Sequence, residues 1–280
     1  MRRIFPLAAL ALAAGACGVD GRAPTSSGTS RQAGIGESAA ELTVRDLAEG
    51  LEPTELARAL AGVGVTISNV SYTGADSAAG QFSGGADIVG FESGIILSTG
   101  IVRNVIGPNS ASGISARNNT AGDAALDALS GEGNPTEDAA ILAFEFVPDG
   151  NTITLEYVFA SDEYNDYVNT PYNDVFAFYV NGENCALVGE PAVPVTVNTI
   201  NNGNPFGIPP VSNPSLYRNN DFDGVATIDT EMDGLTTVLT CTAAVERGVK
   251  NTMRLAIADA SDGDYDSNVF LRARSLEVRD

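Results

Sequence analysis

Two acidic stretches hold the residues that could do chemistry. The first, Ser161 to Asn173, contains Asp162, Glu163 and Asp166 and runs directly into Asp174. The second, Asp259 to Ser267, reads DASDGDYDS, and its Asp262, Asp264 and Asp266 have the i, i+2, i+4 spacing by which a turning loop aims carboxylates at one point. All-oxygen ligands of this kind suit calcium. It is not an EF-hand: Gly263 stands second, Ser267 sixth, and no Glu follows at the twelfth place. The two stretches echo each other, Ala160-Ser161-Asp162 with Ala260-Ser261-Asp262 and Asn173-Asp174-Val175-Phe176 with Ser267-Asn268-Val269-Phe270. Both therefore belong at one end of the fold, where carboxylates repel unless a cation or protons neutralise them. A structural Ca²⁺ is one expectation, and a solvated acidic edge is the other. Asp123 and Asp138 lie in a loop that could reach the same place.

Other chemistries lose their residues. Histidine is absent, so neither a Ser-His-Asp triad nor a Cys-His pair can be built, and zinc lacks its usual ligands. Asp162 or Glu163 with Asp266 could form the carboxylate pair of a glycoside hydrolase. Acids are so frequent here that such a pair arises by chance, and the expectation is a protein that is not an enzyme. Tyr164, Tyr167, Tyr172 and Tyr265, interleaved with acids and Asn, could stack on a sugar, which makes a lectin-like carbohydrate-binding module the alternative. Equally, these rings could be core or rim residues, and Trp is absent.

The elements that must position these groups follow from periodicity. Ile153, Leu155, Tyr157 and Phe159 alternate with more polar neighbours, the pattern of a strand with one buried face. Val175 to Asn181 is apolar on both faces, as inside a sandwich. Leu142, Phe144 and Phe146 alternate before the Pro148-Asp149-Gly150 turn. Further strands are read at Val63 to Tyr72, Gly90 to Gly100, Cys185 to Val188, Val193 to Val197, Thr237 to Val245, Thr252 to Ala258 and Asn268 to Val278. One short helix begins near Pro53, with Thr43 and Asp46 resembling its cap and Gly62 after its end. Asn104 to Asp138 and Asn198 to Asp223 are long Gly/Asn-rich loops, the first with a turn or two of helix at Asp123 to Leu129. About ten strands, one helix and long loops predict an all-β, single β-sandwich, jelly-roll-like, over residues 42–280.

The formal charge is −21, with 36 acidic against 15 basic residues, a field that repels nucleic acid and anionic lipid. Met1 to Ala16 has two arginines, an apolar run and small residues, the layout of a signal peptide. Ala14-Gly15-Ala16-Cys17 resembles a bacterial lipobox, which would make Cys17 a lipidation site and residues 17–41 a flexible tether. Ordinary cleavage and secretion is the alternative. Cys185 and Cys241 remain, and export permits a disulfide between them.

The motifs, taken in order, resemble the choice-of-anchor L domain family of bacteria. They are GVGVTISNVSYTGA (Gly62 to Ala75), GFESGIILSTG (Gly90 to Gly100), GPNS (Gly107 to Ser110), DAAILAFEFVPDGNTITLEYVFASDEYNDYV (Asp138 to Val168), NDVFAFYVNG (Asn173 to Gly182), PVTVNTIN (Pro194 to Asn201) and LAIADASDGDYDSNVFL (Leu255 to Leu271). The resemblance implies an exported cell-surface domain, joined in relatives to varied anchoring signals, with no assigned activity. It also places Glu163, Asp174, Asp259 and Asp266 at the family's acidic positions, ahead of Asp162, Asp264 and Asp262. The expectation is a lipid-anchored surface domain for binding, adhesion or display, with a glycan or protein as its ligand and no membrane contact beyond the lipid.

Overall fold

The computed structural model describes residues 41–131, 133–222 and 226–279. The signal peptide expected at Met1 to Ala16, the lipidation site expected at Cys17 and the expected tether up to residue 40 lie outside the described residues. The chain runs through β1 (Thr43–Asp46), α1 (Pro53–Leu60), β2 (Val65–Thr73), β3 (Ala79–Ser83), α2 (Ala86–Val89) and β4 (Ser93–Ser98). After a long loop come α3 (Ala124–Ser130), β5 (Thr136–Pro148), β6 (Thr152–Ser161) and β7 (Val175–Val180). Four short pieces follow: β8 (Glu183–Asn184), β9 (Leu187–Val188), β10 (Val193–Pro194) and β11 (Tyr217–Asn219). The last are β12 (Gly234–Thr236), β13 (Leu239–Ala244), β14 (Asn251–Ala260), β15 (Ser267–Arg272) and β16 (Glu277–Arg279).

Two antiparallel sheets form the sandwich. The nine-stranded sheet has the order β1-β3-β4-β15-β6-β12-β11, with β13 and β16 also pairing along β6, and the five-stranded sheet is β2-β5-β14-β7-β8. Between them pack Ile153, Leu155, Tyr157 and Phe159 of β6 with Phe144, Phe146, Phe176, Phe178, Leu255 and Ile257. This is the alternation read from the sequence. Two further apolar layers cover the outer faces. Phe82, Phe91, Met232 and Phe270 lie over Val158 and Ala160 of the large sheet. Leu126 of α3 lies on Ala177, Ala256 and Ala258 of the small one. That second layer explains why β7 is apolar on both faces.

Several expected elements differ. Thr43 lies in β1, and Asp46 caps the 3-10 turn Leu47–Glu49 by accepting from Glu49 N. The helix at Pro53 is capped instead by Glu52 and Glu55 in a capping box. The helix α2, a single turn closed by Gly90 at φ +86°, is too short to leave a periodic signal. The strand expected at Val193 to Val197 stops at Pro194, which has no N–H to donate. Of Cys185 to Val188, only Leu187–Val188 pairs as a strand. The closing strand expected from Asn268 to Val278 breaks into β15 and β16, because Arg274 takes a left-handed φ of +60° and its N–H turns to Ala59 O.

The loop after β10 is held by asparagine amides. Asn169 Nδ2 donates to Ile208 O and Pro210 O at 2.9 and 2.8 Å. Asn204 Nδ2 donates to Asp166 O and Val168 O, both at 2.9 Å. Asn213 Nδ2 donates to Thr199 O.

Cys185 and Cys241 are bonded, with Cα atoms 5.3 Å apart and a sequence separation of 56. The bridge joins the segment after β8 to β13, and so ties the small sheet to the large one. Replacing both cysteines with alanine should cost about 2–4 kcal/mol, read as a lower denaturation midpoint in urea.

Candidate functional site

The two acidic stretches do meet at one end of the sandwich. β14 pairs with β7, Ala258 opposite Val175, and β15 pairs with β6, Ser267 opposite Ser161. The loop from β6 to β7 and the loop from β14 to β15 therefore leave the sheets side by side. Asp162 N donates to Asp266 O across them. Asp174 at the start of β7 accepts from Ala260 N through Oδ1 at 2.9 Å and from Ser267 Oγ through Oδ2 at 2.6 Å. That one carboxylate fastens the small sheet to the large one.

A third segment completes the end. In the loop between β4 and α3, alternate backbone N–H groups point inward onto side-chain carboxylates. Ile114 N donates to Asp162 Oδ2 at 3.0 Å and Ala116 N to Asp266 Oδ1 at 3.1 Å. Asn118 N and Thr120 N donate to the two oxygens of Asp138 at 3.0 and 2.6 Å. The period of two is that of a strand, but its partner is a row of carboxylates instead of a neighbouring backbone. Asn118 Nδ2 reaches back to Thr99 O and Gly100 O, at 2.7 and 2.8 Å. Gly100 has no freedom to change: a Cβ there would lie 1.7 Å from Asp266 Oδ2. Asp162 also accepts from Asp233 N, and the Asp233 carboxylate takes Asn109 Nδ2 at 2.7 Å.

These acids are dry. Asp138, Asp162, Glu163, Asp174, Asp233, Asp259 and Asp266 are each 2% exposed or less, and among the described residues none of them is in an ion pair. Burial disfavours the charged form. It pushes Asp266 up to about 6 and Asp174 and Asp233 up to about 7, against the pull of their hydrogen bonds. Asp162 and Asp259 are pushed well above the carboxylate range by burial first and neighbouring acids second, and Glu163 to about 11 by the same causes. For both Glu163 and Asp259 the strongest neighbouring charge is Asp174. Both oxygens of Asp259 and Oε2 of Glu163 are buried without a well-formed hydrogen bond.

The expected ligands thus divide. Asp162 and Asp266 spend their oxygens on backbone donors, as does Asp138. Asp264 turns outward into a two-pronged contact with Arg117 at 2.7 and 2.6 Å. Asp262 takes the N–H of Asp264. The i, i+2, i+4 set does not converge, because left-handed backbone at Ser261 and Tyr265 turns successive carboxylates apart. Asp123 caps α3 and binds Arg254, away from the cluster. Glu163 and Asp259 are left with oxygens that no well-formed hydrogen bond occupies, next to Asp174, whose own oxygens already accept from Ala260 N and Ser267 Oγ, and among the described residues no three acids are gathered as a ready-made metal centre. Of the tyrosines, Tyr164 is buried against Phe159 and Tyr217. Tyr167, Tyr172 and Tyr265 form a ring cluster on the rim, with centroids 5.4 and 4.9 Å from Tyr167. Asp233 and Asn109 carry no signal in spacing; Asn109 stands in the GPNS motif.

An all-β sandwich with a carboxylate-stapled end is the class of domain this defines. The chain belongs to the choice-of-anchor L domain family, whose profile matches residues 43–277. That makes it a bacterial surface-associated domain. No curated protein matches the chain. Among solved structures it is similar to a β-glucosidase from Kluyveromyces marxianus, at 12% identity and a TM-score of 0.22 over 52% of this chain and 11% of that one. So slight a likeness carries neither fold nor activity.

Two outcomes follow from the geometry. Asp138→Ala leaves two backbone donors without acceptors and should lower stability by about 1–3 kcal/mol in urea unfolding, with Asp138→Asn, which keeps one oxygen, less harmful. With chelator present, the raised acids give stability that is full below their unfolded pKa of about 4 and is lost as pH rises through about 6 for Asp266 and about 7 for Asp174 and Asp233. The melting temperature should therefore fall between pH 5 and pH 8, and fall less in Asp174→Asn.

Proposed function

We propose that this chain is a non-catalytic, exported cell-surface domain that acts by binding, adhesion or display, and that Ca²⁺ stabilises the end built from its acidic loops. The observation that supports the cation is Asp259, whose two carboxylate oxygens are buried with only loose contacts to Thr99 and Asp174 and no well-formed hydrogen bond. A buried carboxylate in that state costs several kcal/mol unless it is protonated or meets a positive charge. Glu163, Asp174 and Asp259 would supply oxygen ligands, and the ion would offset their mutual repulsion. Sharing of protons among the same groups is the competing account.

The non-catalytic reading rests on the same geometry. Asp162 and Asp266, the pair a glycosidase would need, are both buried and hydrogen-bonded to loop amides. Each is only 1% exposed, too enclosed to meet a glycosidic oxygen. The lectin-like alternative keeps Tyr167, Tyr172 and Tyr265 on the rim and loses Tyr164 to the core. A lipid on Cys17 would hold the domain at the cell envelope, and mass spectrometry of the exported protein would show it as an acylated N-terminal cysteine.

Thermal unfolding of the full chain in calcium and in chelator tests the ion. Occupancy at 100 times Kd should add about 2.7 kcal/mol, and Asp259→Asn or Asp174→Asn should abolish that increment. A melting temperature indifferent to calcium, with no metal in the purified protein, would leave protons as the neutralising agent.

A further inference from the structure

A second site lies at the opposite end of β6 from the acidic loops. The outer face of that strand, with Thr154 and Glu156, is flanked by β13 along one edge and β16 along the other. Together with the turn from Ala273 to Leu276 they enclose a cleft of about 630 Å³. Its rim carries Arg272, Arg274 and Arg279. In a chain with 36 acids and only 15 bases, three guanidinium groups on one cleft reverse the local sign of charge.

The cleft is built rigidly. Ala273 N bonds to Ser93 O, Arg274 N to Ala59 O and Leu276 N to Leu60 O, all within 3.0 Å. This fixes Arg274 at φ +60°, a conformation that glycine or asparagine adopts at less cost. An outlier of this kind persists where the surroundings impose it, and it often marks a functional position. Arg272 is paired with Glu156 at 2.5 Å and Arg279 with Glu277 at 3.1 Å. Arg274 has no ion-pair partner among the described residues, and it is exposed. The hydroxyls of Thr154 and Thr240, on the floor, make no side-chain hydrogen bond among the described residues.

We propose that this cleft binds a carboxylate-bearing saccharide. A guanidinium presents a planar fork that matches a carboxylate with two parallel hydrogen bonds, and Arg274 is free to do so. The threonine hydroxyls, Glu156 and Glu277 supply the donors and acceptors that sugar hydroxyls require. The two acids disfavour a bare inorganic anion, which has no donors to offer them. The volume lies in the range of small-ligand sites, roughly 300–1,000 Å³, room for one or two sugar rings. The assignment rests on the reading of the chain as a binding domain, and not on the calcium.

Calorimetric titration of the full chain with trigalacturonate and trimannuronate tests it, with maltotriose as the neutral control and inorganic phosphate as the bare anion. At least one acidic trisaccharide should bind at least tenfold more tightly than either control. Arg274→Gly should weaken that binding tenfold or more at an unchanged or higher melting temperature, since glycine suits the backbone there. Arg274→Lys, which keeps the charge and loses the fork, should fall between. The affinity should be the same in calcium and in chelator, so a failed calcium response leaves this site standing. Acidic saccharides that bind no better than maltotriose or phosphate, or wild-type affinity in Arg274→Gly, would overturn the assignment.

Discussion

The end of the sandwich depends on one substitution of partners: side-chain carboxylates accept the hydrogen bonds that a neighbouring strand would otherwise take. A buried N–H must be paired, and along the run from Ile114 the inward N–H groups go to carboxylates, with backbone pairing to β5 beginning only at Thr120 O. Asp162 and Asp266 supply one oxygen each and Asp138 supplies both of its own. The arrangement costs desolvation, which is why Asp162 and Asp266 are pushed up from the usual carboxylate range. It also fixes the position of everything attached to that loop.

The rest of the fold serves that placement. The alternating strands β6 and β15 in one sheet and β7 and β14 in the other bring four loop ends to one edge, and Asp174 bonds across the gap. Thr99 and Gly100 close it from the β4 side, where Thr99 Oγ1 accepts from Ser267 N and Gly100 leaves space for Asp266. Asn109 of GPNS holds Asp233, which in turn donates to Asp162. In this chain much of what its family motifs encode is therefore the internal wiring of one end, and the disulfide and outer apolar layers hold the sheets that carry it.

The strands were legible because their signal is local and strict: Ile153 to Phe159 can bury one face only one way. The meeting of the two acidic stretches was legible from the paired motifs around Asp162 and Asp262. Which acids would face inward was not. Spacing put Asp262, Asp264 and Asp266 together, but left-handed backbone at Ser261 before them and at Tyr265 among them sends Asp264 to Arg117 on the surface and Asp266 to the interior. The role of Asp138 depends on a loop lying across the sandwich, and no periodicity reports that. The break in the last strand is likewise tertiary, made by a hydrogen bond from Arg274 N to Ala59 O, far apart in sequence.

Two long loops close the fold, and they are fastened by different chemistry. Carboxylates hold the run from Ile114 to Thr120, whereas amides of Asn169, Asn204 and Asn213 hold the segment from Thr199 to Pro210. An amide gains or loses no proton in the physiological range, so its grip is indifferent to acidity. A raised carboxylate gains its charge as pH rises, and the stability it contributes then falls. Alkaline surroundings would therefore loosen the loop that Asp162 and Asp266 hold and leave the other as a fixed frame, giving the protein a surface of which only one part senses its environment.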